Sequence, residues 1–333
     1  MERELPIERK ALFNLIQMQW HQNPSAEVKE WQIEDLREFE LSELLDRLQQ
    51  QELWLDKKSF LAFSEKSNTP EDLTEQLVGD RDLSSEEVDQ IYLLLFELWR
   101  RFLPEKQSLT LFCDTLDHLI IDYDRGEVDN TKSIQETLKN LLLILHEGLE
   151  AGHEPLEVFE TVATRCANDI ESFLFDFISE MIDEGDVENA SELVDGFSQY
   201  VSDLKWFQFL KCRLLSQNDP TAALDIVSDL VQEARSEPDT HFLFELLCIL
   251  VEIGNDSLFF PIVTDLVSKV KFEDQFQEVL QITYEYFQRQ DRDPLADQIE
   301  EILIQRESLP LTAPFNKNDP LLKKFYSIIQ QIN

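Results

Sequence analysis

The stretch THFLFELLCILVEIGNDSLFFPIVTDLVSK, residues 240–269, decides the fold. Leu243, Leu246 and Leu250 fall at helical spacing before the polar break Gly254-Asn255-Asp256, and Phe259, Val263 and Leu266 do so after it. Two amphipathic helices joined by a glycine turn make a helical hairpin. A hairpin apolar on both helices cannot bury those faces alone and needs neighbours of its own kind.

Working outward, the chain supplies them. Breaks of the same character stand at Gly152-His153-Glu154-Pro155, Gly185-Asp186, Asn218-Asp219-Pro220 and Gln290-Asp291, so that with Gly254 they recur every 33 to 36 residues. Between breaks the apolar positions stay in step. First helices give the columns Leu174, Phe207, Leu243, Val279, then Phe177, Leu210, Leu246, Ile282, then Met181, Leu214, Leu250, Tyr286. Second helices give Ala190, Ala223, Phe259, Leu295, then Val194, Val227, Val263, Ile299, then Phe197, Leu230, Leu266, Ile302. This register predicts an all-α protein with an α-solenoid of stacked hairpins over residues 131–308. Pro310 and Pro314 interrupt any helix after it, and Asp319-Pro320 starts a capping helix, so 309–333 reads as linker and cap.

Residues 1–130 read as a helical region without a repeat. A helix is expected over Ile7–His21, stopped at Asn23-Pro24, and a second from about Ser25 through Gln50. Thr69-Pro70 marks a helix start, Ser84-Ser85 caps the apolar run Val88–Leu103, and a further helix runs over Ser108–Tyr123 to Gly126.

Composition narrows the function. The 333 residues hold 7 glycines, less than a third of the usual share of about 7 per cent. Phosphate-cradling loops and dinucleotide folds need more Cβ-free positions than that. The net charge is −39, from 68 acids and 29 bases distributed along the whole chain. Such a surface repels phosphate backbones and anionic headgroups, which argues against nucleic acid and membrane-surface partners. The longest aliphatic run, Leu141–Leu145, is far short of a bilayer span of about 20 residues, so no membrane insertion is expected. The N-terminal MERELPIERK lacks the apolar core of a secretory signal. Cys113, Cys166, Cys212 and Cys248 form no CxxC pair, and reduced thiols in a cytoplasmic protein are expected.

No catalytic or metal motif assembles. His146 and His153 lie seven apart, not at the four-residue spacing of a zinc helix, and Gly148 and Gly152 are expected to break the helix around them. Asp122-Tyr123-Asp124-Arg125-Gly126 opens like a calcium loop, but its glycine comes one place early and its twelfth position is Ser133. No GxSxG, SxxK or GxxxxGK[ST] string occurs. No cofactor is implied.

The unit length, the polar turn and the small residue five positions after it (Ala190, Ala223) resemble the tetratricopeptide-like superfamily over about residues 134–306. The resemblance implies a concave groove lined by first helices. By register it assigns Phe175, Gln208 and Phe244 to that groove, then Ser179, Cys212, Cys248 and Tyr284, with Asp183, Ser216, Glu252 and Gln288 along its edge. The function it implies is a non-catalytic protein–protein interaction scaffold or chaperone-like adaptor. The stretches 170–185 and 239–254 carry no Lys or Arg, and the helix between them has only Lys205, Lys211 and Arg213. Its partner is therefore expected to be a basic or amphipathic protein segment. Two alternatives stand beside it: a bacterial secretion-system chaperone or effector, and an enzyme with a carboxylate-based site on a helical scaffold.

Overall fold

The computed structural model describes residues 7–79, 81–126, 131–216, 218–236 and 239–332. Among the described residues the chain holds eighteen α-helices and no strand, so the all-α expectation holds. Two compact units emerge from the contacts within the chain. Unit 1 comprises the residues up to Leu174 with Gln199–Val201, and unit 2 comprises Phe175–Ser198 with the residues from Ser202 onward.

Unit 1 contains α1 (Arg9–Gln22), α2 (Glu30–Ile33), α3 (Leu41–Gln50), α4 (Lys57–Ser64), α5 (Pro70–Val78), α6 (Ser85–Phe102), α7 (Leu109–Asp124), α8 (Thr131–Glu150) and α9 (Pro155–Ala163). Helix α6 is its spine. The Ser84 hydroxyl accepts from Glu87 N–H while the Glu87 carboxylate accepts from Ser84 N–H, and the apolar run that follows buries Ile91, Leu95, Leu98 and Trp99. Against it pack Leu44 and Leu48 of α3, Phe60 of α4 and Leu73 of α5.

The long second helix expected from about Ser25 through Gln50 does not form. Between α2 and α3 the chain is extended at Glu34 and Glu40, with one 3-10 turn over Leu36–Glu38. The cause is charge. Arg101 Nη2 takes the carbonyls of Leu36 and Arg37, each at 3.0 Å, and the Arg37 guanidinium is drawn to Asp114 at 2.6 Å. These tertiary bonds outweigh the local helical pattern. The break expected at Gly148 is also absent: α8 runs through it to Glu150. Gly148 serves close packing, because a Cβ there would lie 2.6 Å from Val158 of α9. Gly152, at φ 95°, is the residue that turns the chain.

Unit 2 contains α10 (Ile170–Asp183) from Phe175 on, α11 (Val187–Phe197), α12 (Leu204–Ser216), α13 (Pro220–Ser236), α14 (Thr240–Ile253), α15 (Asp256–Lys269), α16 (Glu273–Arg289), α17 (Asp293–Arg306) and α18 (Pro320–Ile329). Helix α12 packs on α13, α14 on α15 and α16 on α17, while α14 also contacts α12 on one side and α16 on the other. Every residue of the six apolar columns is buried except Leu214 and Leu295, which are half-buried. Gly254 adopts φ 79°, the left-handed helix end that a hairpin turn requires.

The chain after α17 is fastened by backbone and by charge. Phe315 N–H donates to the Lys271 carbonyl at 2.8 Å, and Glu273 N–H to the Ala313 carbonyl at 2.9 Å. Arg306, 1% exposed, donates to both oxygens of Glu273 at 2.7 and 2.6 Å and to Asp319 at 2.8 Å. Asp319 in turn caps α18, so one buried guanidinium ties α16, α17 and α18 together.

Candidate protein-binding surface

The candidate residues all lie in unit 2, on α10, α12, α14 and α16. Their apolar members are anchored from behind. Phe175, Phe244 and Tyr284 are half-buried, each with part of its ring in the unit 2 core and part in solvent. Phe175 meets Trp206 edge-on, with ring centroids 4.9 Å apart. Trp206 also packs against Phe242 at 4.8 Å and the His241 ring at 5.6 Å, which makes it the aromatic hub of this region. Its position was open to sequence reading, since it lies one residue before the column residue Phe207, but no register argument separated it from ordinary core.

Polar members divide into two groups. On α10 and α12, Arg213 donates to Ser179 Oγ and, at 2.5 Å, to Asp183 Oδ1, so both residues are engaged within the surface. Lys205 pairs with Asp239 at 3.2 Å and Lys211 with Asp195 at 3.0 Å. Each cation of α12 is thus matched to a carboxylate of unit 2. Gln208 is half-buried. Cys212 is fully buried, its thiol directed to the Ala223 carbonyl at 3.4 Å, and offers no surface to a partner. Burial, with the charge of Glu252, pushes that thiol up to about 12.

On α14 and α16 the surface acids form a different group from the buried Glu273, which Arg306 holds. Cys248 and Glu252 are exposed, and Glu245, Glu278 and Glu285 surround them. The effect on the thiol is direct: partial burial and the charges of Glu245, Glu278, Glu285 and Glu252 push Cys248 up to about 11. Glu278 is itself raised by burial and by the neighbouring charges of Asp274 and Glu245, against the opposing pull of His241. Among the described residues no Lys or Arg forms an ion pair with Glu245, Glu252, Glu278 or Glu285. The Tyr284 hydroxyl accepts from Gln288 Nε2 at 2.6 Å beside them. A thiol held this high supplies almost no thiolate near neutrality, so Cys248 is a poor nucleophile.

Away from this face, His146 pairs with Glu150 and His153 with Glu157, each at 3.7 Å and on the exposed surface. Among the described residues no group of three His, Cys, Asp or Glu side chains is arranged to hold a metal ion. Positions 127–130 of the calcium-like loop lie outside the described residues. No described helix is long and apolar enough to cross a membrane. No family model, curated protein or solved structure matches the chain.

Proposed function

We propose that this chain is a non-catalytic protein-binding module, a tetratricopeptide-like α-solenoid whose first helices receive a basic or amphipathic segment. One observation carries the reading: Glu245, Glu252, Glu278 and Glu285 gather around Cys248, and among the described residues none of them pairs with a lysine or arginine. Like charges crowded together repel, and a cationic ligand relieves that repulsion where no internal cation does. The half-buried rings of Phe244 and Tyr284, on the same two helices, offer apolar contact for the other face of an amphipathic helix. We place the module in the cytoplasm, consistent with four free cysteines.

Fluorescence anisotropy with a basic amphipathic peptide and an acidic C-terminal peptide, each across a salt series, tests the reading. The basic peptide is expected to bind, and to weaken as salt rises. Glu278→Lys with Glu252→Lys should reduce its affinity at least tenfold, and Phe244→Ala with Tyr284→Ala should reduce it at every salt concentration. Tighter binding of the acidic peptide, or indifference to all four substitutions, defeats the proposal.

A further inference from the structure

We infer that Cys113 and Cys166 form a latent disulfide site, open to reversible two-electron oxidation, within unit 1. The two residues are 53 positions apart and share no motif, yet both are buried where the end of α9 and the loop after it lie along α7, with Cys166 between Val162, which faces Cys113, and Ala167, which binds Asp117. Cys113 is on α7, its sulfur under the last turn of α9, 3.9 Å from the Val162 carbonyl. Cys166 lies in the short loop that follows α9.

A second set of contacts fixes this loop on the same face of α7. Asp117, one helical turn beyond Cys113, accepts from the backbone N–H groups of Ala167 and Asn168 at 2.8 to 3.0 Å and from Asn168 Nδ2 at 2.8 Å. Asn14 Nδ2 of α1 also donates to Asp117, at 3.1 Å. The residues immediately after Cys166 are therefore pinned beside Cys113. The other two cysteines lack this arrangement. Cys212 is directed to the Ala223 carbonyl and Cys248 is surrounded by carboxylates.

The chemistry balances with a disulfide-forming oxidant such as a peroxide or an azo reagent. Both thiols surrender a proton and an electron, the S–S bond forms, and diamide's N=N bond is reduced to a hydrazine. Hydrogen peroxide would leave as two waters. Hydrogen bonding from Cys113 and then burial hold the Cys166 thiol well above its ordinary range. Thiolate is scarce at neutral pH, so oxidation should be slow there and quicken as pH rises.

The test uses the full-length protein under native conditions. After diamide treatment, thiols are counted in denaturant and the cross-linked peptides are mapped by mass. The expected result is a fall from four thiols to two, with residues 113 and 166 joined, and recovery of all four on reduction. Cys113→Ser and Cys166→Ser should each keep three thiols under the same treatment. Retention of four thiols in the wild type, or a cross-link that joins any other pair, overturns the inference without recourse to the variants.

Discussion

The interiors of the two units are built from different materials. Among the described residues, unit 2 buries a single charged pair, Arg306 with Glu273, behind columns of Leu, Phe, Val and Ile. Unit 1 buries Glu97, Asp114, Asp117 and Asn14 within one network. Glu97 holds Arg100 and Arg101, and Arg101 holds the backbone of Leu36 and Arg37. Arg37 and Lys10 converge on Asp114, while Asn14 links Asp114 to Asp117 at 3.1 Å on each side. Apolar columns are interchangeable and additive, because each side chain contributes its own buried area. A buried charge network is neither, since every member has the next as its partner.

That contrast breaks most visibly at Asp114. Burial alone would raise its carboxyl, but Lys10, Arg37 and His118 outweigh burial and hold it well below the ordinary carboxylate range. Asp114→Ala leaves Lys10 and Arg37, with side chains only 13% and 25% exposed, without their common counter-charge. The expected loss is about 3–5 kcal/mol, the scale of breaking a buried pair on one side, read from the urea midpoint. Hydrogen exchange should accelerate across α1 and α7 together. If the loss is below ~1 kcal/mol, the network is not what holds unit 1.

The matching break in unit 2 is Leu246→Ala in the middle first-helix column, where the residue is fully buried. A cavity of that kind costs about 3 kcal/mol. Here the comparison makes a sharper demand. Leu246→Ala and Ile302→Ala, in two different columns, should add in the double variant, whereas Asp114→Ala and Arg37→Ala should fall well short of additivity. Coupling as strong in the columns as in the network would erase the distinction.

The same distinction governs what sequence reading reached. Gly254, Asn255 and the columns through Leu246 and Val263 are local signals that repeat, and periodic signals reinforce one another. Capping serines are equally local: Ser84 caps the helix expected from it, and Ser108, expected as the first residue of its helix, is that helix's cap. By contrast, Arg101 reaches residues 36 and 37, and Asp117 reaches residue 167. No window of sequence contains both ends of such a bond. The long helix expected through residue 50 fails for that reason. The surface shows the limit again: register placed Phe244, Cys248 and Glu252 on one helix face, but not Glu278 and Glu285 beside them, because that neighbourhood depends on how α14 meets α16.

A smaller effect separates the units along the pH axis. His118 sits in the unit 1 network facing Asp114, Arg37 and Lys10, and burial, aided by those two cations, lowers it despite the attraction of Asp114. A depressed folded value means that its contribution is present above the unfolded value of about 6.5 and is lost as pH falls through the folded one. Asp114, also depressed, follows the same sign below about pH 4. Asp117, raised by burial, has the opposite sign and acts above about pH 4, where its protonation favours the fold. The range immediately below about pH 6.5 therefore belongs to His118. Wild type should lose stability across that range, and His118→Gln should flatten the urea-midpoint profile. An unchanged slope in the variant would remove His118 from the account.

The smallest stability effect is expected at Arg213, and it sharpens a comparison inside unit 2 itself. Its guanidinium neutralises Asp183, whose side chain is 69% exposed. Pairs this wet contribute about 0–1 kcal/mol, so Arg213→Ala should leave the melting temperature nearly unchanged. Binding is a different matter. In the α10–α12 half of the proposed surface the cations pair with carboxylates, whereas among the described residues no Lys or Arg pairs with Glu245, Glu252, Glu278 or Glu285 in the α14–α16 half. Removing Arg213 frees Asp183 and Ser179 and makes the first half resemble the second. A basic peptide should then bind a few-fold more tightly at low salt, with the gain vanishing as ionic strength screens the added charge. Weaker binding would mean that Arg213 itself holds the ligand, and would reverse the sign assigned to this half of the surface.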